Sequence, residues 1–596
     1  MSNLKKALPT RAESDPTHQW RTADIYPSDQ AFLAAVEQLR AAGAELAAYR
    51  GTLAQPGRLL AFLQRADQLG LLMGDAGSYA GLRADEDTAN ATYQRYEGMM
   101  SSLSVELSAS LAFFTPEVLA MADRIPELLA QDGALEVYRK HLEDILRQKD
   151  HILPEREEYL LSLAGEIAGA PEEVFSMLNN ADMRFGSIQD EDGDEVELTH
   201  GRYLHFLESA DRRVRREAFE TLYAVYLGHR NTLAALLNAH VSKNKFHKIA
   251  RRYGSTLEMC LDGNRIPPAV YHSLIGAVRD GHPAFYRYMD LRRRALGLDA
   301  LHMYDLYVSI VKNPFKQLTY SQAQALVLEA VRPLGEDYCR RIERAYREGW
   351  IDVYENRGKR SGAYSNGNPT CHPFVLLNHQ DNLESAMTLA HELGHALHSD
   401  YSNEAQPPVY RNYSIFVAEV ASTVNEALLL EHLMATSEGE ALAYLHNHYL
   451  EQFRATLFRQ TMFAEFELAV HAEVEGGGTL TPDLLDELYG GLCAAYFGEG
   501  VTLDPQIRAE WSRIPHFYYD FYVYQYATGF AAAQAIADRI LHHGGAEDYL
   551  AFLKLGDALP PLEALKVAGV DLTTPAPVTA ALRRFEASVE QLEKWI

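Results

Sequence analysis

ESAMTLAHELGHALHSDY, residues 384–401, decides how the rest of the chain reads. It has no proline, Gly394 is its only glycine, and Ala386, Leu389, Ala390, Leu393 and Leu397 recur at helical spacing. His391 and His395 are four apart, so a helix projects both imidazoles from one face, where two ring nitrogens can meet one metal ion. Glu392 lies about 100° around the helix from His391, beside such an ion and not on it. HELGH is an HExxH motif. Chance alone gives ~0.07 occurrences in a chain of this length and composition, so the surroundings must decide.

A catalytic zinc takes three protein ligands and keeps one position for water. The extended pattern HExxHxxGxxH is excluded, because position 398 is His and position 401 is Tyr. The other solution is a glutamate from a later helix. SIFVAEVASTVNEALLLEHLM (414–434) has that character, and its Glu419 lies 24 residues beyond His395. A carboxylate inside the apolar stretch FVAEVA costs several kcal/mol to bury unless it is paired or metal-bound. Glu426 follows two turns later on the same face, placed to accept a hydrogen bond from a ligand histidine. His398, three beyond His395, offers a further polar contact.

Outward from this centre, helical patterning dominates. AFLAAVEQLRAAGAELAAYR (31–50) and the stretch 60–85 carry apolar residues at three- and four-residue spacings. The pattern changes at 183–207, where alternation around DEDGDE predicts a β-hairpin. It changes again at SGAYSNGNPTCHPFVLLNH (361–379), which reads as a loop leading into a strand. Helices are expected from there to the end, broken at 475–482 and 542–545. The 596 residues exceed one hydrophobic core. We divide them into a helical lobe, 1–200, ending in the hairpin, and a catalytic region, 201–596.

Composition narrows the function classes. The formal net charge is −27, and nucleic-acid binding needs a clustered basic surface. The one basic patch, DRRVRREAF (211–219), is flanked by acidic residues and reads as a solvated helix face. Cys260, Cys339, Cys371 and Cys493 form no CxxC pair, so reduced thiols are expected. MSNLKKALPTRAESD lacks the apolar segment of a signal peptide, and no run approaches ~18 apolar residues, so no membrane span is expected. A cytoplasmic location follows by default.

HFYYDFYVYQY (516–526) holds five tyrosines. If the helix that follows extends back through Tyr519, then Tyr519, Tyr522 and Tyr526 share one face, while Tyr518 and Tyr524 point elsewhere. HELGHALH, FVAEVASTVNE and PHFYYDFYVYQYATGF together resemble oligoendopeptidase F, within the thimet-oligopeptidase-like (M3) zinc metallopeptidases. RTADIYPSDQAF, DGDEVELTHGRY, ESADRRVRREAFETLY, KRSGAYSNGN and RQTMFAEFE extend the resemblance over nearly the whole chain. It implies a mainly α fold: a zincin-type core in a large helical clamshell, with a deep central channel that admits short peptides and a small β-sheet. It also implies His391, His395 and Glu419 as zinc ligands and Glu392 as the catalytic glutamate. His516, Tyr519 and Tyr526, with Tyr522, would face the substrate. Gly362 and Ala363 would be close-approach positions where a strand edge pairs with substrate backbone.

The chemistry expected is hydrolysis of internal peptide bonds. One zinc polarises the scissile carbonyl and acidifies water. Glu392 takes a proton from that water and later delivers it to the leaving amine. Hydrogen-bond donors aimed at the oxyanion are needed besides the metal, which is the role open to His516 and the tyrosines. The competing readings are a zinc carboxypeptidase or aminopeptidase, for which no terminus-binding motif is evident, and a catalytically dead peptide-binding protein. The intact His391, Glu392, His395 and Glu419 set argues against the latter. An ATP-driven protease is disfavoured because no GxxxxGK[ST] loop occurs. Oligomeric state is not readable from the sequence.

Overall fold

The computed structural model describes residues 7–315 and 317–596, without the side chains of Glu155 and Glu166. The basic start of the N-terminal stretch, MSNLKK, therefore lies outside the described residues. Helices make up most of the chain, and its seven described strands are two or three residues long. Contacts group the chain into two compact units, each built from three segments: Met1–Lys149, Phe315–His432 and Ile536–Val570, and Asp150–Pro314, Leu433–Ala535 and Asp571–Ile596.

The first unit begins with three mutually packed helices, Asp29–Ala47, Arg58–Glu86 and Ala91–Leu111. The Ser28 hydroxyl caps the first by accepting from Ala31 N, and Asn90 caps the third by accepting from Thr92 N. Phe32, Leu39, Leu46, Leu63, Tyr79 and Leu103 form their core, each apolar side chain contributing about 1.5–3 kcal/mol of transfer free energy. Residues 91–120 are long and apolar enough to cross a membrane by length and composition alone. That stretch is broken between Leu111 and Phe114, and Tyr96, Met100, Leu103 and Leu107 are buried in this core.

The same unit holds a three-stranded sheet. Phe374–Leu376 is its central strand and is completely buried. Ile351 and Asp352 pair with it in parallel, opposite Val375 and Leu376. Tyr364–Asn366 pairs antiparallel on the other side, Ser365 opposite Val375. The FVLLN run thus forms a strand as expected. The stretch before it, read as loop, contributes a second strand, and Ile351–Asp352 gave no sequence signal because two residues carry no period. Asp352 is buried and is neutralised by Arg11 at 2.5 Å and Lys359 at 2.7 Å.

In the second unit the predicted hairpin forms between Ser187–Gln189 and Glu195–Glu197, turning at Gly193 with φ 86°. Leu301–His302 and Val501–Thr502 pair in parallel, two further strands too short to show a pattern. The basic patch is not simply a solvated face. Arg215 is 3% exposed and donates to Asp305 Oδ1 at 2.8 Å, and Arg212 grips the same carboxylate. One buried acid thus holds the buried Arg215 and the partly exposed Arg212 together.

Candidate metal centre

Two helices of the first unit build the site. Leu383–Ala405 starts at Asn382, whose side chain accepts from Ser385 N at 2.8 Å. Ile415–Thr436 brings Glu419 and Glu426 against it. The helices approach closely because position 394 has no side chain. A Cβ there would lie 2.6 Å from both Ala421 O and Ser422 Cα. Asn425 Nδ2 donates to Ala390 O at 3.1 Å, and Tyr338 OH donates to Asn425 Oδ1 at 2.8 Å. These bonds fix the rotation of one helix against the other.

The donor atoms of His391, His395 and Glu419 lie within 4.8 Å of one another. Glu419 Oε2 is 3.6 Å from His391 Nε2 and 3.9 Å from His395 Nε2. Ligands ~2.1 Å from a tetrahedral ion stand ~3.4 Å apart, so the three fit a cation with little movement. The His391 Nδ1–H donates to Glu426 Oε1 at 2.5 Å. A carboxylate only accepts, so this bond leaves Nε2 as the free lone pair. Burial disfavours charge on His391, but Glu426 outweighs it and pushes the imidazole up to about 9. Burial takes His395 down to about 3, and His391 adds to the effect. A cation held by these three residues would take the place of the proton on His391 Nε2.

Glu392 is 6% exposed, and its Oε2 has no hydrogen-bond partner. Burial raises its carboxyl to about 7, His391 opposing and Glu419 adding. A carboxyl titrating near neutrality beside a cation site is suited to carry a proton in both directions. His398 is 1% exposed and stacks on Tyr413 with ring centroids 3.6 Å apart. Burial holds it down at about 3, and Nδ1 has no hydrogen-bond partner. The contact seen for its ring is this aromatic stacking.

Gly362 and Ala363 line a cleft of about 290 Å³ with Leu377, Asn378, His379 and Thr388. Gly362 has φ 85°, a left-handed conformation that glycine adopts without strain. Its carbonyl accepts from Asn378 Nδ2 at 2.8 Å. Thr388 is one turn before His391, so the cleft lies along the helix that carries His391.

His516, Tyr519, Tyr522 and Tyr526 belong to the second unit. The helix does not extend back through Tyr519. It begins at Tyr524, after a 3₁₀ turn Pro515–Tyr518 and two left-handed residues, Asp520 (φ 53°) and Phe521 (φ 58°). Such residues cost about 1–3 kcal/mol each and persist only where the surroundings impose them. Here Asp520 Oδ1 accepts from His240 Nε2 at 2.7 Å and Asn244 Nδ2 at 2.5 Å, while Phe521 N donates to Glu467 Oε1 at 2.5 Å. The kink still gathers the four rings. His516 lies 5.5, 6.3 and 5.8 Å from Tyr519, Tyr522 and Tyr526, and Tyr526 OH is 3.4 Å from His516 Nε2. Tyr518 and Tyr524 are buried against Phe175 and Tyr271.

Gly394, Asn425, Tyr338 and Asp520 were not singled out from the sequence. Only Gly394 left a trace there: a glycine inside a helix costs about 1 kcal/mol against alanine, and one between two candidate ligands marks a close approach.

The model of peptidase family M3 matches residues 205–584, and that of oligopeptidase F matches residues 119–185. Oligopeptidase PepF of Bacillus subtilis is 42% identical over 601 aligned residues, covering 100% of this chain and 90% of that protein. Group B oligopeptidase PepB of Streptococcus agalactiae is 39% identical, with 98% of each covered. The crystal structure of oligoendopeptidase-F from Enterococcus faecium superposes with a TM-score of 0.75 at 38% identity, covering 95% of this chain and 99% of that one.

Proposed function

The chain belongs to peptidase family M3 and is a metalloendopeptidase, and from that premise we propose that it hydrolyses internal bonds of short oligopeptides with one zinc ion. The observation that carries this is the convergence of His391, His395 and Glu419 beside the buried Glu392, whose Oε2 has no hydrogen-bond partner. Two imidazoles and a carboxylate are a donor set that suits zinc. Bound there, zinc supplies Lewis acidity toward water and a peptide carbonyl.

The remaining roles fall to the chain. Glu426 holds His391 in the tautomer that leaves Nε2 free, and Glu392 takes a proton from the attacking water and returns it to the leaving amine. The segment at Gly362 and Ala363 pairs with substrate backbone, because glycine permits close approach and the cleft beside it follows the ligand helix. His516, Tyr519 and Tyr526, with Tyr522, form a group of hydrogen-bond donors suited to a peptide substrate. Four unpaired cysteines agree with a reducing, cytoplasmic location.

End-blocked, internally quenched peptides test the reading. The protein should cleave them, and a chelator should stop it. Cleavage only after a terminus is freed would identify an exopeptidase, and binding without cleavage a dead site.

A further inference from the structure

A second group of ionisable side chains surrounds a small cavity of about 10 Å³ inside the second unit. Three guanidiniums line it, Arg454, Arg459 and Arg513, with one carboxylate, Glu510, and the phenols of Tyr203 and Tyr307 among the other walls. Glu510 is already committed. Oε1 accepts from Arg459 Nη2 and Arg513 Nη2, both at 2.6 Å, and Oε2 accepts from Tyr489 OH at 2.6 Å. Arg454 reaches instead to Glu451 Oε2 at 2.9 Å, and Glu451 Oε1 is shared with Arg292, which is fully buried. Four cations therefore share two anions. The group thus carries two more positive than negative formal charges, on arginines whose side chains are 0–22% exposed, where a countercharge is favourable.

The surroundings respond to that excess. A buried phenol ordinarily becomes harder to ionise. Burial does push Tyr307 that way, but Arg459 and Arg454 outweigh it and bring it below its usual value. The Arg454 guanidinium stands 4.6 Å over the Tyr307 ring. Arg454 lies in a π-helical segment, Phe453–Phe458, a rare distortion that is frequent at functional sites. The volume admits the centre of about one water-sized sphere, which excludes phosphate, sulfate and carboxylates.

We infer that this cavity binds a single halide ion, chloride under ordinary conditions, held by Arg454, Arg459 and Arg513. The ion supplies countercharge beyond that of Glu510 and Glu451. It joins the Pro505–Arg513 turn, the π-helical segment and the helix Arg459–Glu475.

The full chain, dialysed into sodium gluconate, is titrated with sodium chloride and then sodium bromide at constant ionic strength. The expected result is a saturable rise in Tm with either halide, retained in Tyr307→Phe. Crystals grown with bromide should show an anomalous peak between the three arginines. Water in that position at saturating bromide, or a Tm shift that never saturates, overturns the inference. So does a tyrosinate absorption band at neutral pH that persists in saturating chloride and disappears in Tyr307→Phe, since the phenolate is then the countercharge.

Discussion

The Glu392 carboxyl is held near neutrality by burial, with one oxygen unpartnered beside the candidate metal centre. Glu392→Gln keeps the shape and removes the proton carrier. It should retain the metal while kcat falls ~10²–10⁴-fold; metal analysis alongside single-turnover kinetics checks both halves, and a wild-type rate would refute the role. Glu426 acts one bond further out, through His391 Nδ1. Glu426→Gln still occupies the space but loses the anionic acceptor, so metal affinity should fall ~10–100-fold. Competition with a chelator measures it. A residual defect that excess metal restores separates this positioning role from a part in proton transfer.

Between helices, the 394 position controls how near the backbones carrying His391 and Glu419 come. Gly394→Ala forces a Cβ into the Ala421 carbonyl and the Ser422 backbone. Overpacking of this kind costs about 1–3 kcal/mol, and it also separates His391 and His395 from Glu419. A lower denaturant midpoint together with weaker metal retention is expected. Gly81→Ala, in a helix where the new methyl meets nothing within 4 Å, should be neutral or stabilising. The kink at 520–521 makes a second prediction. Burial alone would raise Asp520, but the hydrogen bond from His240 and its charge, with Lys243 and Asn244, hold it down at about 2. A folded-state value below the unfolded one of about 3.9 gives stability that is present above that value. It is lost as pH falls toward 2. In acid titrations of the unfolding free energy, Asp520→Asn should lack this part of the slope.

Metal loading should stabilise the molecule as a whole, because only the folded helices hold all three donors together. At a hundredfold excess over Kd the gain is about 2.7 kcal/mol. With about 2.1 cal/mol/K of unfolding entropy per residue, that raises Tm by about 2 °C if all 596 residues melt as one. The rise is about 4 °C if the first unit, roughly half the chain, melts separately. Calorimetry with and without chelator reads the shift, and its size reports the cooperativity between units. An unchanged Tm would mean that no cation binds the native state.

His391, Glu392, His395, Glu419 and Glu426 were legible in the sequence because their relations run along helices. There, spacing by three, four or seven residues fixes direction without knowledge of the rest of the fold. The hairpin at 187–197 was legible for a similar reason, since a turn and two alternating runs are local. The gathering of His516, Tyr519, Tyr522 and Tyr526 was foreseen, but through a helix that does not form. Their grouping depends on Asp520 and Phe521 being held left-handed by His240, Asn244 and Glu467, partners more than fifty residues away along the chain. The two-residue strands, the closeness of the helices at Gly394 and the arginine cavity are likewise products of long-range packing. Periodicity determines which face of an element is apolar or ligand-bearing; only tertiary contact decides which distant backbone meets that face, and at what distance.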